Sequence, residues 1–170
     1  QILMLSVEDL PFEIRKVFRE RGEIATGREL WNHAVNSYSV YYEIQPDDLD
    51  ALINYGRALR ETNRYDEALQ VYERARRLSP NNYLVLNGLQ NISRRMAGFL
   101  QEAERPEVAN RWFEETRELI NALLKISPDK ETNERQYLNA ILARARLYWQ
   151  WERYPETISA FRDIIDEFPD

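Results

Sequence analysis

Cysteine is missing from this 170-residue chain, histidine occurs once, and glycine and proline are sparse at five and seven. Without cysteine there is no disulfide, no thiolate nucleophile and no thiolate-ligated zinc, and the redox compartment is left open. So few glycines and prolines cannot punctuate a turn-rich β-sandwich, and the prolines are spread singly along the chain, as helix stops are. No apolar run reaches the ~20 residues of a membrane span, and the stub Ile2-Leu3-Met4-Leu5 is too short to be the core of a signal peptide. Lysine is scarce too: of 23 basic residues three are Lys and twenty are Arg.

What is present is charge on a folding chain. Charged residues make up 31% and apolar residues 44%, the mixture expected of helices that each keep one wet face. The net charge of −6 gives no general affinity for phosphate backbones or anionic lipid, so nucleic acid is not an expected partner. Arginine offers a fixed planar fork for carboxylates, so its dominance over lysine fits either carboxylate recognition or biased codon usage.

The chain repeats itself at an offset of 34 residues. Gly22 falls on Gly56, Ala34 on Ala68, Tyr38 on Tyr72 and Pro46 on Pro80, with Phe18 on Leu52, Trp31 on Tyr65 and Ile44 on Leu78. Small residues at Gly56 and Ala68 let two antiparallel helices approach, and Leu52, Leu59 and Tyr72 fill the groove beside the crossing. Asp48 or Asp50 suits the N-cap of the first helix, Asn63-Arg64 a turn, and Pro80 a stop. For residues 15–48 the same reading places helices near 10–26 and 28–44, with Pro11 in a first helical turn.

Leu52, Tyr55-Gly56, Leu59, Ala68, Tyr72 and Pro80, in that order and spacing, resemble the tetratricopeptide repeat. The resemblance implies an all-α fold, a right-handed α-α superhelix of about four helix-turn-helix units in a single domain. The units are about 15–48, 49–82, 83–130 and 131–170, with 1–9 as a lead-in segment. In the last unit Tyr154, Thr157, Phe161, Ile164 and Pro169 take the places of Tyr65, Ala68, Tyr72, Ala75 and Pro80. Thr157 stands where the family has Ala, and Arg144-Ala145 where it has Leu-Gly.

Two units exceed the repeat length. Pro80 to Pro128 is 14 residues longer than the repeat, and Pro128 to Pro169 seven longer. Apolar residues at steps of three and four run unbroken through Leu86, Leu89, Ile92, Met96, Phe99 and Leu100, then return through Val108, Trp112, Leu119, Ile120 and Leu123. That continuity predicts one elongated hairpin, each arm about two turns longer, with its tip at Glu104-Arg105-Pro106-Glu107. The shorter excess, around Glu131–Gln136, carries no apolar stripe and fits either polar helix or loop.

Nothing in the chain reads as catalytic. His33, the lone histidine, sits one residue before the packing Ala34 in mid-helix, with no nucleophile patterned beside it. The carboxylates sit at helix starts or opposite Arg, and none follows a calcium-loop pattern, so no metal and no cofactor are expected. Asn91-Ile92-Ser93 is a formal glycosylation sequon inside a predicted helix. Trp149 and Trp151, two apart, point to different sides of their helix, so at least one should be exposed or reach the next element.

The resemblance implies a function as well. In tetratricopeptide proteins the first helix of each unit lines a concave groove along which a protein or peptide lies. By resemblance the binding residues here are Arg19, Arg57, Arg60, Asn87, Asn91, Arg94, Asn139, Arg146 and Trp149. Arg and Asn dominate that set on a chain that is negative overall, which suits an acidic or C-terminal segment. Glu23 and Arg57 stand where a carboxylate-clamping subset of the family has Asn, so that subset is not assigned.

The expected function is therefore a non-enzymatic protein-interaction scaffold. The alternatives are a self-associating structural module forming a homo-oligomer, and the docking arm of an enzyme whose catalytic domain lies outside this chain. Ile164–Pro169 resembles repeats of bacterial envelope assembly proteins, which leaves the compartment open between cytoplasm and cell envelope.

Overall fold

The structure is a computed structural model that describes residues 12–127 and 129–169. The lead-in 1–9, Pro11 and Pro128 lie outside the described residues. Among those described there are eight α-helices and no strand. They are α1 (Phe12–Gly27), α2 (Trp31–Ile44), α3 (Leu49–Glu61), α4 (Tyr65–Leu78), α5 (Tyr83–Glu102), α6 (Pro106–Ile126), α7 (Lys130–Gln150) and α8 (Tyr154–Glu167). They form four antiparallel hairpins in two compact units that divide between Pro80 and Asn81, with α1–α4 in the first and α5–α8 in the second.

One turn closes every hairpin. Glu29, Asn63, Glu104 and Glu152 take positive φ of 57°, 60°, 55° and 60°. The next N–H reaches back five residues: Leu30 to the Ala25 carbonyl, Arg64 to Leu59, Arg105 to Leu100 and Arg153 to Tyr148, each at 2.9 Å. This is the Schellman closure, which satisfies carbonyls that a helix end leaves bare. The first helices start on side-chain caps. Asp48 accepts from Ala51 N–H at 3.1 Å, and Asn82 accepts from Leu84 and Val85 N–H at 2.9 and 3.2 Å.

In the first unit the 34-residue pairs show why small residues recur. A Cβ built on Gly22 would stand 2.7 Å from the ring of Tyr38, and one on Gly56 2.7 Å from the ring of Tyr72. Both tyrosines are fully buried, so glycine is what lets each ring lie against the facing helix backbone. Ala34, Ala58, Ala68 and Ala75 are also fully buried.

In the second unit α5 and α6 have 20 and 21 residues against 13 and 14 in α3 and α4. Each arm thus gains seven residues, about two turns, and the tip falls at Ala103–Arg105. Ala97, Ala109, Phe113, Ile120, Ala143 and Leu147 build the core between α5, α6 and α7. The seven-residue excess is helix, in two pieces. Asp129 caps the first turn of α7 by accepting from Thr132 N–H at 2.7 Å. The backbone is then extended at Asn133 (φ −162°, ψ 89°), whose side chain caps the remainder by accepting from Gln136 N–H at 3.0 Å.

Thr157 and Thr116, polar residues on packed faces, are buried at no cost in hydrogen bonding. Their hydroxyls donate to the carbonyls of Arg153 and Trp112, at 2.8 and 2.7 Å.

Candidate functional site

The residues singled out by the sequence fall in both units and meet different fates. Arg19, Arg57 and Arg60 belong to the first. Arg19 is held by three carboxylates, Glu23 at 3.1 Å, Asp48 at 3.6 Å and Asp50 at 3.9 Å. Burial alone would lower its pKa, but Asp48 and Glu23 outweigh it and hold the guanidinium more firmly protonated than usual. Arg60 pairs with its neighbour Glu61 at 2.5 Å, and Arg57 lies over the Trp31 ring, 5.1 Å from its centroid. An open pocket of about 500 Å³ lies beside Arg15, Lys16, Arg19, Tyr41, Gln45 and Asp48, and Asp48 already supplies its anion.

Arg74 on α4 is likewise engaged within the unit. Its guanidinium donates to the Pro46 carbonyl at 2.7 Å and to Asp47 at 2.7 Å, tying α4 to the turn before α3.

In the second unit three of the expected residues meet. Arg94 from α5 and Arg146 and Trp149 from α7 line an open pocket of about 750 Å³, together with Gln150, Glu152, Tyr154 and Phe161. Gln150 sets the geometry. Its Oε1 accepts from the Arg94 guanidinium at 3.0 Å and its Nε2 donates to the Arg94 carbonyl at 3.4 Å. Room for that amide comes from Gly98, because a Cβ there would collide with Gln150 Nε2.

The electrostatics of the pocket differ from those of the first unit. Among the described residues neither Arg94 nor Arg146 makes an ion pair. Burial first, and then the positive charges of Arg95 and Arg146, hold the Arg94 guanidinium below its ordinary range. Three aromatic rings, of Trp149, Tyr154 and Phe161, line the same pocket. Trp149 is 64% exposed and sits edge-on to Tyr154, with ring centroids 5.9 Å apart. Trp151 turns inward, as its spacing from Trp149 requires. It stacks on Phe113 at 5.4 Å and donates its indole N–H to Asn110 at 2.8 Å.

Asn87 and Asn91, one turn apart on α5, are engaged with each other. Asn91 Nδ2 donates to the Asn87 carbonyl at 2.8 Å, and Asn87 Oδ1 accepts from Gln90 at 3.1 Å. Asn139 is exposed on α7 outside the pocket lining. The sequon is closed to modification in this fold, since Ser93 is fully buried in α5. His33 is exposed, and among the described residues no cluster of His, Asp and Glu suits a metal ion. No helix of the described chain is long and apolar enough to cross a membrane.

Sequence reasoning missed Gln150, Tyr154 and Phe161 as lining residues. Phe161 stands at the repeat position of the buried Tyr72 and Tyr154 at that of the partly buried Tyr65, yet both are about half exposed because no described element besides α7 packs on α8. Gly98 carried a signal: a glycine in mid-helix costs stability and asks for a close approach.

Residues 16–81 match the family model described as tetratricopeptide repeat. No curated protein matches the chain. Solved structures share its fold. MamA 41-end from Desulfovibrio magneticus RS-1 is 18% identical with a TM-score of 0.64, over 92% of this chain and 77% of that one. A double mutant of MamA from RS-1 is 18% identical with a TM-score of 0.65, over 92% and 76%. A further MamA crystal structure is 14% identical with a TM-score of 0.64, over 90% and 77%. These structures show the fold, and the repeat match over residues 16–81 supports a protein–protein interaction module. Residues 16–81 thus carry the tetratricopeptide repeat, and the eight described helices pair into antiparallel hairpins with the fold of the solved repeat structures.

Proposed function

We propose that the pocket between α5, α7 and α8 binds an acidic segment of a partner protein, seating a carboxylate on Arg94 and Arg146 and an adjacent apolar side chain on Trp149, Tyr154 and Phe161. The observation that carries this reading is the state of Arg94. It is half buried, faces two like charges and has an amide rather than a carboxylate as its partner. An incoming carboxylate relieves both penalties at once. A charge-assisted bond to a partly desolvated arginine contributes roughly 1.5–3 kcal/mol, which is about ten- to a hundredfold in affinity. The rings add apolar area and a face for cations or side chains of the segment. Such a site recognises a ligand without transforming it.

The test is an array of random short peptides probed with the 170-residue chain. Bound peptides should be enriched in Asp or Glu next to an aromatic or aliphatic residue, and the enrichment should vanish with Arg94→Ala/Arg146→Ala. The pair Arg19→Ala/Arg60→Ala, whose charges are already matched, should select the same peptides as the parent. Selection unchanged by Arg94→Ala/Arg146→Ala would overturn the assignment.

A further inference from the structure

We infer that α8 of one copy receives α1 of another, so that the packing of α2 on α3 inside this chain is repeated from copy to copy. Tyr154, Ile158, Phe161 and Ile165 follow one another at steps of four, three and four along α8, which puts them on one face. All four are exposed, Ile158 by 54% and Ile165 by 65%, and among the described residues only α7 packs on this helix. A row of large apolar side chains this long is not ordinary surface.

The chain contains the same row once more, and shows what covers it. On α2 the steps of four, three and four bring up Trp31, Val35, Tyr38 and Tyr42. There α3 lies across them beside α1, whose Gly22 receives the ring of Tyr38, and Val35 and Tyr38 are buried. Tyr55 of α3 sits with its ring 6.3 Å from Tyr38 and 5.9 Å from Tyr42, flanked along α3 by the buried Ala51 and Ala58. The partner that fits this row is therefore a helix with a small or aliphatic residue, a longer side chain four on, and another small or aliphatic residue three beyond that.

Helix α1 carries that pattern uncovered. At the 34-residue offset Val17, Arg21 and Ile24 stand where α3 has Ala51, Tyr55 and Ala58. Val17 is 49% and Ile24 56% exposed, and Arg21 is exposed between them. Charge agrees with shape. Tyr55, whose place Arg21 takes, lies within electrostatic reach of Glu43 on α2, and the residue of α8 at the Glu43 position is Asp166. A junction built like α2–α3 would seat Arg21 between Phe161 and Ile165 with its guanidinium toward the Asp166 carboxylate. The faces differ, so the contact is heterologous and propagates instead of closing into a dimer.

Tyr154 and Phe161 belong to the peptide pocket as well, so an arriving α1 and a bound peptide exclude one another. Ile158, Asp166 and Arg21 lie outside that pocket, and variants there test this inference alone. Sedimentation of the 170-residue chain across a wide concentration range should show mass climbing past a dimer. Arg21→Asp, Asp166→Arg and Ile158→Glu should each remain monomeric with an unchanged helical melt, since all three side chains are at the surface. Equal parts of Arg21→Asp and Asp166→Arg should regain growth, because each variant then offers the other a matched face at both junctions. A parent chain monomeric throughout, a closed dimer of fixed mass, or growth unaffected by these variants would overturn the inference. So would failure of the mixture to recover, which would point to a helix of a different protein as the occupant of α8.

Discussion

The two units use the same residue types to opposite ends. In the first, arginine is matched: Arg19 to Glu23, Asp48 and Asp50, Arg60 to Glu61, Arg64 to Glu67, Arg74 to Asp47. In the second, Arg117, Arg144 and Arg153 are matched as well. Arg94 and Arg146, however, make no ion pair among the described residues and share a pocket with three aromatic rings and Glu152. Glycine divides the same way. Gly56 admits the buried ring of Tyr72, whereas Gly98 admits the flexible amide of Gln150, which holds Arg94. Conformity to the repeat builds the first unit, and departure from it, by longer arms and unmatched charge, builds a site in the second. Surface ion pairs contribute little to stability, so the matched arginines do little to hold the fold.

The largest test of this contrast is a pair of glycine substitutions. Gly56→Leu should cost roughly 1–3 kcal/mol, as overpacking against a buried ring does. Gly98→Ala should change stability by less than about 1 kcal/mol, because alanine's gain in helix propensity offsets the displacement of one flexible amide. It should nevertheless weaken peptide binding by freeing Arg94 from Gln150. Urea melts of the two variants check the first statement, and a Gly98→Ala chain that loses as much stability as Gly56→Leu would erase the distinction.

A second effect belongs to alkaline pH. The phenols of Tyr72 and Tyr41 are pushed up to about 12, Tyr72 by burial and Tyr41 by burial and then by its hydrogen bond to Asp48. Tyrosine in an unfolded chain ionises near 10. The neutral phenols therefore contribute their stability in full below pH ~10, and that contribution is lost as pH rises through about 12. Tyr72→Phe should flatten this alkaline loss, while Arg94→Ala should leave it unchanged.

Smaller still are the caps and turns. Asp48→Ala removes a cap, the acceptor of the Tyr41 hydroxyl at 2.9 Å and one partner of Arg19, and should cost about 1–2 kcal/mol. Asn133→Ala removes only a cap in the polar extension of α7 and should cost about 0.5–1 kcal/mol. Glu104→Gly should stabilise by up to about 1 kcal/mol, since glycine tolerates the left-handed turn that glutamate occupies there. Thermal melts that rank these three differently would show that the local hydrogen bonds do not control the ends of the helices.

Much of this architecture was legible in the residues. The 34-residue pairs gave the helices of the first unit, Asp48 as a cap and Asn63 as a turn, because small and bulky residues recur where helices cross. The unbroken apolar stripe from Leu86 to Leu100 gave the long hairpin. The pocket was legible only in part. Arg94, Arg146 and Trp149 were named on residue type and helix face, but their meeting depends on lateral packing of α5 and α7, which a one-dimensional pattern does not encode. Phe161 kept the spacing of the buried Tyr72, and spacing cannot tell that only α7 packs on its helix. Arg19 and Arg60 had the right type, but the carboxylates that reach them come from fold and rotamer as much as from sequence neighbours.

The contrast between answered and unanswered arginine is tested most directly by the emission of Trp149. A short glutamate-rich peptide containing one phenylalanine is titrated into the chain, beside a twin in which every glutamate is glutamine. The account predicts a saturable change with the acidic peptide, weakened by salt, lost in Arg94→Ala/Arg146→Ala, unchanged in Arg19→Ala/Arg60→Ala, and absent in Trp149→Phe. Equal responses to the two peptides, or a signal that survives in Trp149→Phe, would contradict it.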